Sequence, residues 1–174
     1  MQRVESLAIT VVGHDRPGII AQTAEVLSRY GMNLEDSSMT LLRGHFAMTL
    51  ICAGQAEATT LAEAVSSALD PSLSVSVLAI PDETDRPPVG SSYLVTVHGA
   101  DRLGIVARLA STIADAGGNI TDLTTRLTGE LYVLLAEVDL PPAADVPALK
   151  AALAQVSAEL AVDTTLRQLE NDEL

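Results

Sequence analysis

Gly13-His14-Asp15-Arg16-Pro17-Gly18-Ile19-Ile20 stands where an apolar run of period two gives way to one of helical period. Upstream, Val4 to Val12 alternate, with Leu7, Ile9 and Val11 on one side and Ala8, Thr10 and Val12 on the other, the pattern of a strand rich in β-branched residues. Downstream, from Gly18 to about Tyr30, Ile19, Ile20, Ala24 and Leu27 recur at helical spacing and Gly31 supplies a C-terminal stop. Pro17 suits the first position of that helix, where its missing N–H has no partner to lose. Eighty-six residues on, the chain reads Gly99-Ala100-Asp101-Arg102-Leu103-Gly104-Ile105-Val106, with Gly, Asp, Arg and Gly at the same relative positions. Aligned at that offset without a gap, residues 10 to 41 share thirteen identities with their counterparts, all on the first strand, loop, first helix and opening of the second strand. A repeat of about half the length predicts two units of one fold.

The rest of each unit follows from period and punctuation. Asn33 to Leu42 and His45 to Ala53 read as strands joined by Arg43-Gly44, a hairpin. Ala56 to Leu69 reads as a helix with Leu61, Val65, Ala68 and Leu69 inward, ended by Asp70-Pro71, and Leu73 to Ala79 alternates as a fourth strand. The order is β-α-β-β-α-β. Pro81 to Ser92 has three prolines and no apolar period and reads as a linker. The order then repeats: strand from Tyr93 to His98, helix from Gly104 to Ala116 with Ile105, Leu109, Ile113 and Ala116 on one stripe, and a hairpin around Gly129-Glu130. A helix from Val146 to Ala158 follows, capped by Asp145, and a last strand from Ala161 to Leu169. Residues 1–80 and 93–169 are thus the expected domains, 81–92 the linker and 170–174 an acidic tail.

Composition narrows the function. The net charge of −13 is shared almost evenly, −6 over residues 1–87 and −7 over 88–174. With one lysine, nine arginines and 2% aromatic residues, both halves repel phosphate, so direct nucleic-acid binding is not expected. No apolar run approaches the roughly 20 residues of a membrane span, and Met1-Gln2-Arg3-Val4-Glu5 lacks the pattern of a signal peptide, so a cytoplasmic protein is expected. The single cysteine, Cys52, lies in the apolar run Met48 to Ala53 and reads as a buried structural thiol.

An enzyme would lean on the three histidines. His14 has Ala100 as its counterpart, His98 has Val12 and His45 has Leu131, and none is spaced with a nucleophile or metal partners. No catalytic residue, metal site or cofactor is therefore expected. The repeated loop instead has the makings of a binding mouth. A helix N-terminus leaves backbone N–H groups unpaired and carries partial positive charge, which suits a carboxylate. Gly18 and Gly104 let a ligand approach the backbone, Asp15 or Asp101 can accept from an ammonium group, and the Asn33 or Asn119 amide can donate and accept. Each residue has a plainer alternative: the aspartates as helix caps, Arg16 and Arg102 paired with acids or placed at an interface, the glycines for close helix–strand packing, the asparagines in turns.

The βαββαβ unit, its G-x-D-R-x-G-I loop, and the glycine stop followed by Asn-hydrophobic (Gly31-Met32-Asn33-Leu34 and Gly117-Gly118-Asn119-Ile120) resemble the ACT domain. Two in tandem resemble the glycine cleavage system transcriptional repressor family and related double-ACT proteins. The resemblance implies an α+β fold of two ferredoxin-like units, each an antiparallel four-stranded sheet with helices on one face. It also implies edge-to-edge pairing of units, a homodimer, an amino acid such as glycine or serine as ligand, and a regulatory protein partner. The ligand would lie between the first loop of one unit and strand residues of its neighbour: His14, Asp15, Arg16, Pro17, Gly18 and Ile19 with Asn33 and Leu34, and Asp101, Arg102, Leu103, Gly104 and Ile105 with Asn119 and Ile120. Leu103 replaces the common proline, so the second mouth is expected to differ in shape. The rival to a sensor is a ligand-independent interaction module using exposed strand edges.

Overall fold

The computed structural model describes residues 5–81 and 90–169. Met1 to Val4, the central part of the expected linker and the acidic tail 170–174 lie outside the described residues. The chain forms two compact units, the first ending at Thr84 and the second beginning at Asp85.

In unit 1 the elements are β1 (Glu5–His14), α1 (Ile19–Arg29), β2 (Asn33–Leu42), β3 (His45–Gly54), α2 (Ala58–Ala68) and β4 (Ser74–Ile80). Unit 2 repeats them as β5 (Ser91–Ala100), α3 (Ile105–Asp115), β6 (Asn119–Thr128), β7 (Leu131–Leu140), α4 (Val146–Leu160) and β8 (Val162–Gln168). Both sheets are antiparallel, in the orders β2-β3-β1-β4 and β6-β7-β5-β8. This is the α+β, ferredoxin-like architecture expected from the sequence.

Alternation places Leu7, Ile9 and Val11 of β1 and Met48, Leu50 and Cys52 of β3 against the helices, all almost fully buried. Unit 2 builds the equivalent core from Val95, Val97, Leu134, Ala136 and Val138 under α3 and α4. Cys52 is buried as expected; burial raises its thiol pKa, with a smaller push from Glu35. Arg43 and Gly44, both at positive φ, close the first hairpin as the two central residues of a tight turn.

The structure departs from the sequence reading in α2, where Ala68 is exposed and Ala64 packs against the core, and in three further places. First, Ile20 and Ala24 are exposed, whereas Ile19, Thr23, Val26 and Leu27 form the buried face of α1. The helix carries two apolar stripes, and the one through Ile20 and Ala24 faces the edge strand β2. Thr23 is tolerated inside because its Oγ1 donates to the Ile19 carbonyl at 2.8 Å. Second, β1 and β5 continue through the first residues of the repeated loops, because β3 and β7 keep pairing there: His14 opposes His45 and Ala100 opposes Leu131. Gly13 allows this, since a Cβ there would stand 2.7 Å from Leu73 and 3.1 Å from the Ser72 carbonyl. Third, β5 begins at Ser91, so the end of the proline-rich segment belongs to the sheet.

Candidate functional site

The backbone shapes each loop the same way. Gly18 sits at φ 95°, ψ −6° and Gly104 at φ 89°, ψ 5°. This is the third position of a type II turn, which an L side chain enters only with strain, and Pro17 presets the residue before it. Pro17 therefore lies in the turn, and α1 starts two residues later at Ile19. The Leu103 side chain is fully exposed and leaves the glycine conformation unchanged, so the expected difference in loop shape is not seen at this residue. A Cβ on Gly18 or Gly104 would meet nothing within 4 Å. Conformation, and not close packing, is what requires glycine at both positions.

Neither aspartate caps its helix. Gly18 and Gly104 are the N-cap residues, and among the described residues no side chain accepts from the free N–H groups at the start of α1 or α3. Their carbonyls accept from Gln22 and Arg108 at 2.9 Å, the first intrahelical bonds. By contrast, Asp145 accepts from the Ala148 N–H at 2.9 Å and caps α4, as its sequence position predicts. An uncapped start is not peculiar to the repeated loops, because Glu57 at α2 makes no cap bond either. What the first loop adds is a recess of about 560 Å³, walled by Asp15 to Ala21 together with Met39 of β2 and Phe46 of β3.

Arg16 is anchored. It forms an ion pair with Asp70, and its guanidinium donates to the Ser72 Oγ at 2.9 Å, tying the loop to the α2–β4 turn. Asp70 is held down from its ordinary 3.8 to about 2, first by the Ser72 hydroxyl, then by the Ser72 N–H, then by Arg16. A carboxyl depressed in the folded state contributes stability that is complete above its unfolded pKa and is lost as the pH falls through the folded value. Urea titrations between about pH 5 and pH 2 should therefore show a steeper loss in the wild type than in Asp70→Asn; equal slopes would contradict the tether. Unit 2 has no Asp-x-Ser at the matching turn, where the chain reads Leu160-Ala161-Val162.

The remaining expected residues fall into distinct roles. His14 and Asp15 are exposed, and the Asp15 N–H donates to the Gly44 carbonyl at 3.0 Å. The side chains of Ile19 and Ile105 are core, which leaves only their backbone groups for the expected binding role. Asp101 and Arg102 are exposed, as are Asn33 and Asn119. A β-bulge follows each asparagine pair, between Leu34 and Asp36 and between Ile120 and Asp122.

Within one unit the loop and its asparagine are far apart. The first loop hangs on Gly44, beyond the end of β2, whereas Asn33 opens that strand. Ten residues at about 3.3 Å each separate them by roughly 30 Å. Asn33 and Leu34 instead line a second, apolar groove of about 470 Å³ between α1 and β2. Ile20 and Met39 border both recesses. Sequence reasoning missed them because nothing in the apolar period says that they stay exposed, which both are by about half.

Comparison with known proteins places these features. The family model described as ACT domain matches residues 5–75 and 91–167. A glycine cleavage system transcriptional repressor of Escherichia coli strain K12 is 31% identical over 121 residues, 69% of this chain and 64% of that protein. The chain thus spans just under two thirds of that relative's length. A crystal structure of an unknown protein from Galdieria sulphuraria superposes with a TM-score of 0.84 at 29% identity, over 97% of this chain and all of the other. A crystal structure bearing the repressor name superposes with a TM-score of 0.73 at 18% identity, over 97% of this chain and 99% of the other, a likeness of fold.

Proposed function

Because this chain belongs to the ACT-domain family, with the family pattern present twice, we propose that it is a cytoplasmic regulatory protein that senses a free amino acid and signals to a protein partner. Its two sensing domains are the units built on β1 to β4 and on β5 to β8, the second taking in Ser91 and Ser92 from the expected linker. The observation that carries this reading is the first loop: an uncapped helix start under a glycine that adds no side chain, opening on a recess walled by Asp15 and Met39. The N–H groups of Ile19, Ile20 and Ala21 suit a carboxylate, and Asp15 suits an ammonium group.

Asn33 enters through a neighbour. All ten residues of the edge strand β2 are exposed, and they include Leu34, Met39, Leu41 and Leu42. Such an edge is a ready template for another strand. An antiparallel neighbour lays the start of its own strand, with its asparagine, beside the end of β2 nearest the loop. That places a donor–acceptor amide against the bound ligand when the neighbour is a second copy in a homodimer. Glycine is the first ligand to test, given the name of the Escherichia coli relative, and serine, from the family resemblance, is the second.

The same exposed edge favours the second reading, a module that binds a partner strand and needs no ligand. A thermal-shift screen of the free amino acids separates the two. A ligand at about 100 times its Kd adds about 2.7 kcal/mol and should raise Tm by roughly 5–10 °C for a chain of this size. No shift with any amino acid at millimolar concentration would leave only the interaction module.

A further inference from the structure

The helix-free faces of the two sheets differ in charge. In unit 1 the register puts Ala8, Thr10 and Val12 of β1 beside Ala47, Thr49 and Ile51 of β3 on that face. β4 extends it with serines and with Leu78, which is 65% exposed, and with Ile80. Its ionisable groups stand only at the margins: Asp36 on the edge strand, and His14 and His45 at one end. In unit 2 the same face carries Asp122, Arg126, Glu137, Asp139, Asp163 and Arg167. A chain of net charge −13 thus keeps one sheet face of mostly small, uncharged side chains, on the side away from α1 and α2.

We propose that this face of unit 1 is a contact surface between two copies of the chain, packed sheet against sheet. Charge selects the occupant. Two copies of net charge −13 repel wherever their acids face each other, and they approach at least cost where both surfaces are neutral. Small Ala, Ser and Thr side chains suit two sheets stacked about 10 Å apart. Four strands about 4.8 Å apart and seven paired rows give a face of roughly 19 by 23 Å, so two copies cover roughly 900 Å² between them. That lies at the lower end for a specific interface and predicts a weak assembly, seen at high protein concentration. It is separate from the β2 edge, so a chain using both surfaces forms a larger assembly than either gives alone.

Thr10 and Thr96 occupy the same position in the two units and point outward, half-buried, from their helix-free faces. Light scattering on the full chain at about 100 µM should give a wild-type mass that falls by half in Thr10→Glu and is unchanged in Thr96→Glu, with far-UV circular dichroism unaltered in both. Leu78→Lys, on an edge strand, should give the same halving and serves if Thr10→Glu folds poorly. A monomeric wild type, or an assembly that survives both Thr10→Glu and Leu78→Lys, would overturn the proposal. So would an equal loss of mass in Thr10→Glu and Thr96→Glu.

Discussion

Ile19→Ala should destabilise the protein by about 2–5 kcal/mol, whereas Ile20→Ala, one residue away in the same helix, should change stability by no more than about 0.5 kcal/mol. Ile19 is 2% exposed among Leu7, Val11 and their neighbours, so truncation removes buried surface and leaves a cavity. Ile20 is 50% exposed along the β2 side of α1, where little transfer energy is at stake and alanine is the better helix former. Urea unfolding of both variants reads the difference. Equal losses would mean that the stripe through Ile20 and Ala24 is core after all, and that the recess bordered by Ile20 and Met39 does not exist in solution.

The second large effect is on ligand binding. Gly18→Asn and Gly18→Asp both place a side chain at φ 95°, and both should lose stability to a similar degree, since Asn and Asp are the residues that best tolerate this conformation. They differ in charge. The aspartate sets a negative group at the positive end of α1, where the carboxylate of a bound amino acid is proposed to sit. The amino acid that raises the wild-type Tm by roughly 5–10 °C should still raise that of Gly18→Asn, and should leave Gly18→Asp unmoved. Equal shifts in the two variants would put the ligand elsewhere. Comparing them separates loss of the site from loss of the backbone conformation, which a single substitution cannot do.

The fold was legible because period and punctuation agree along most of the chain. Leu7, Ile9 and Val11 alternate, Gly31 and Gly117 end helices, and Arg43-Gly44 turns a hairpin. What stayed hidden concerns faces and distances. A helix with apolar residues at 19, 20, 24 and 27 has more than one candidate buried side, and only packing against α2 and the sheet chooses among them. Asp15 before a helix has the sequence of a cap, yet the αL turn at Gly18 starts α1 three residues further on, and no described side chain caps its first N–H groups. The donor–acceptor chemistry of Asn33 groups it with the loop in the sequence; the roughly 30 Å along β2 that separates them appears only once the register is known. That separation is the physical reason the proposed site takes its asparagine from a second copy of the chain.

The most direct test is an amide chemical-shift map of the full chain, recorded as the amino acid that raises Tm is added to saturation. The N–H resonances of Ile19, Ile20 and Ala21 should show the largest changes, joined by the side-chain amide of Asn33 contributed by a second copy of the chain. Saturable changes that leave the amides of Ile19 to Ala21 in place would contradict the account, because the ligand would then be bound without the helix end that defines the site.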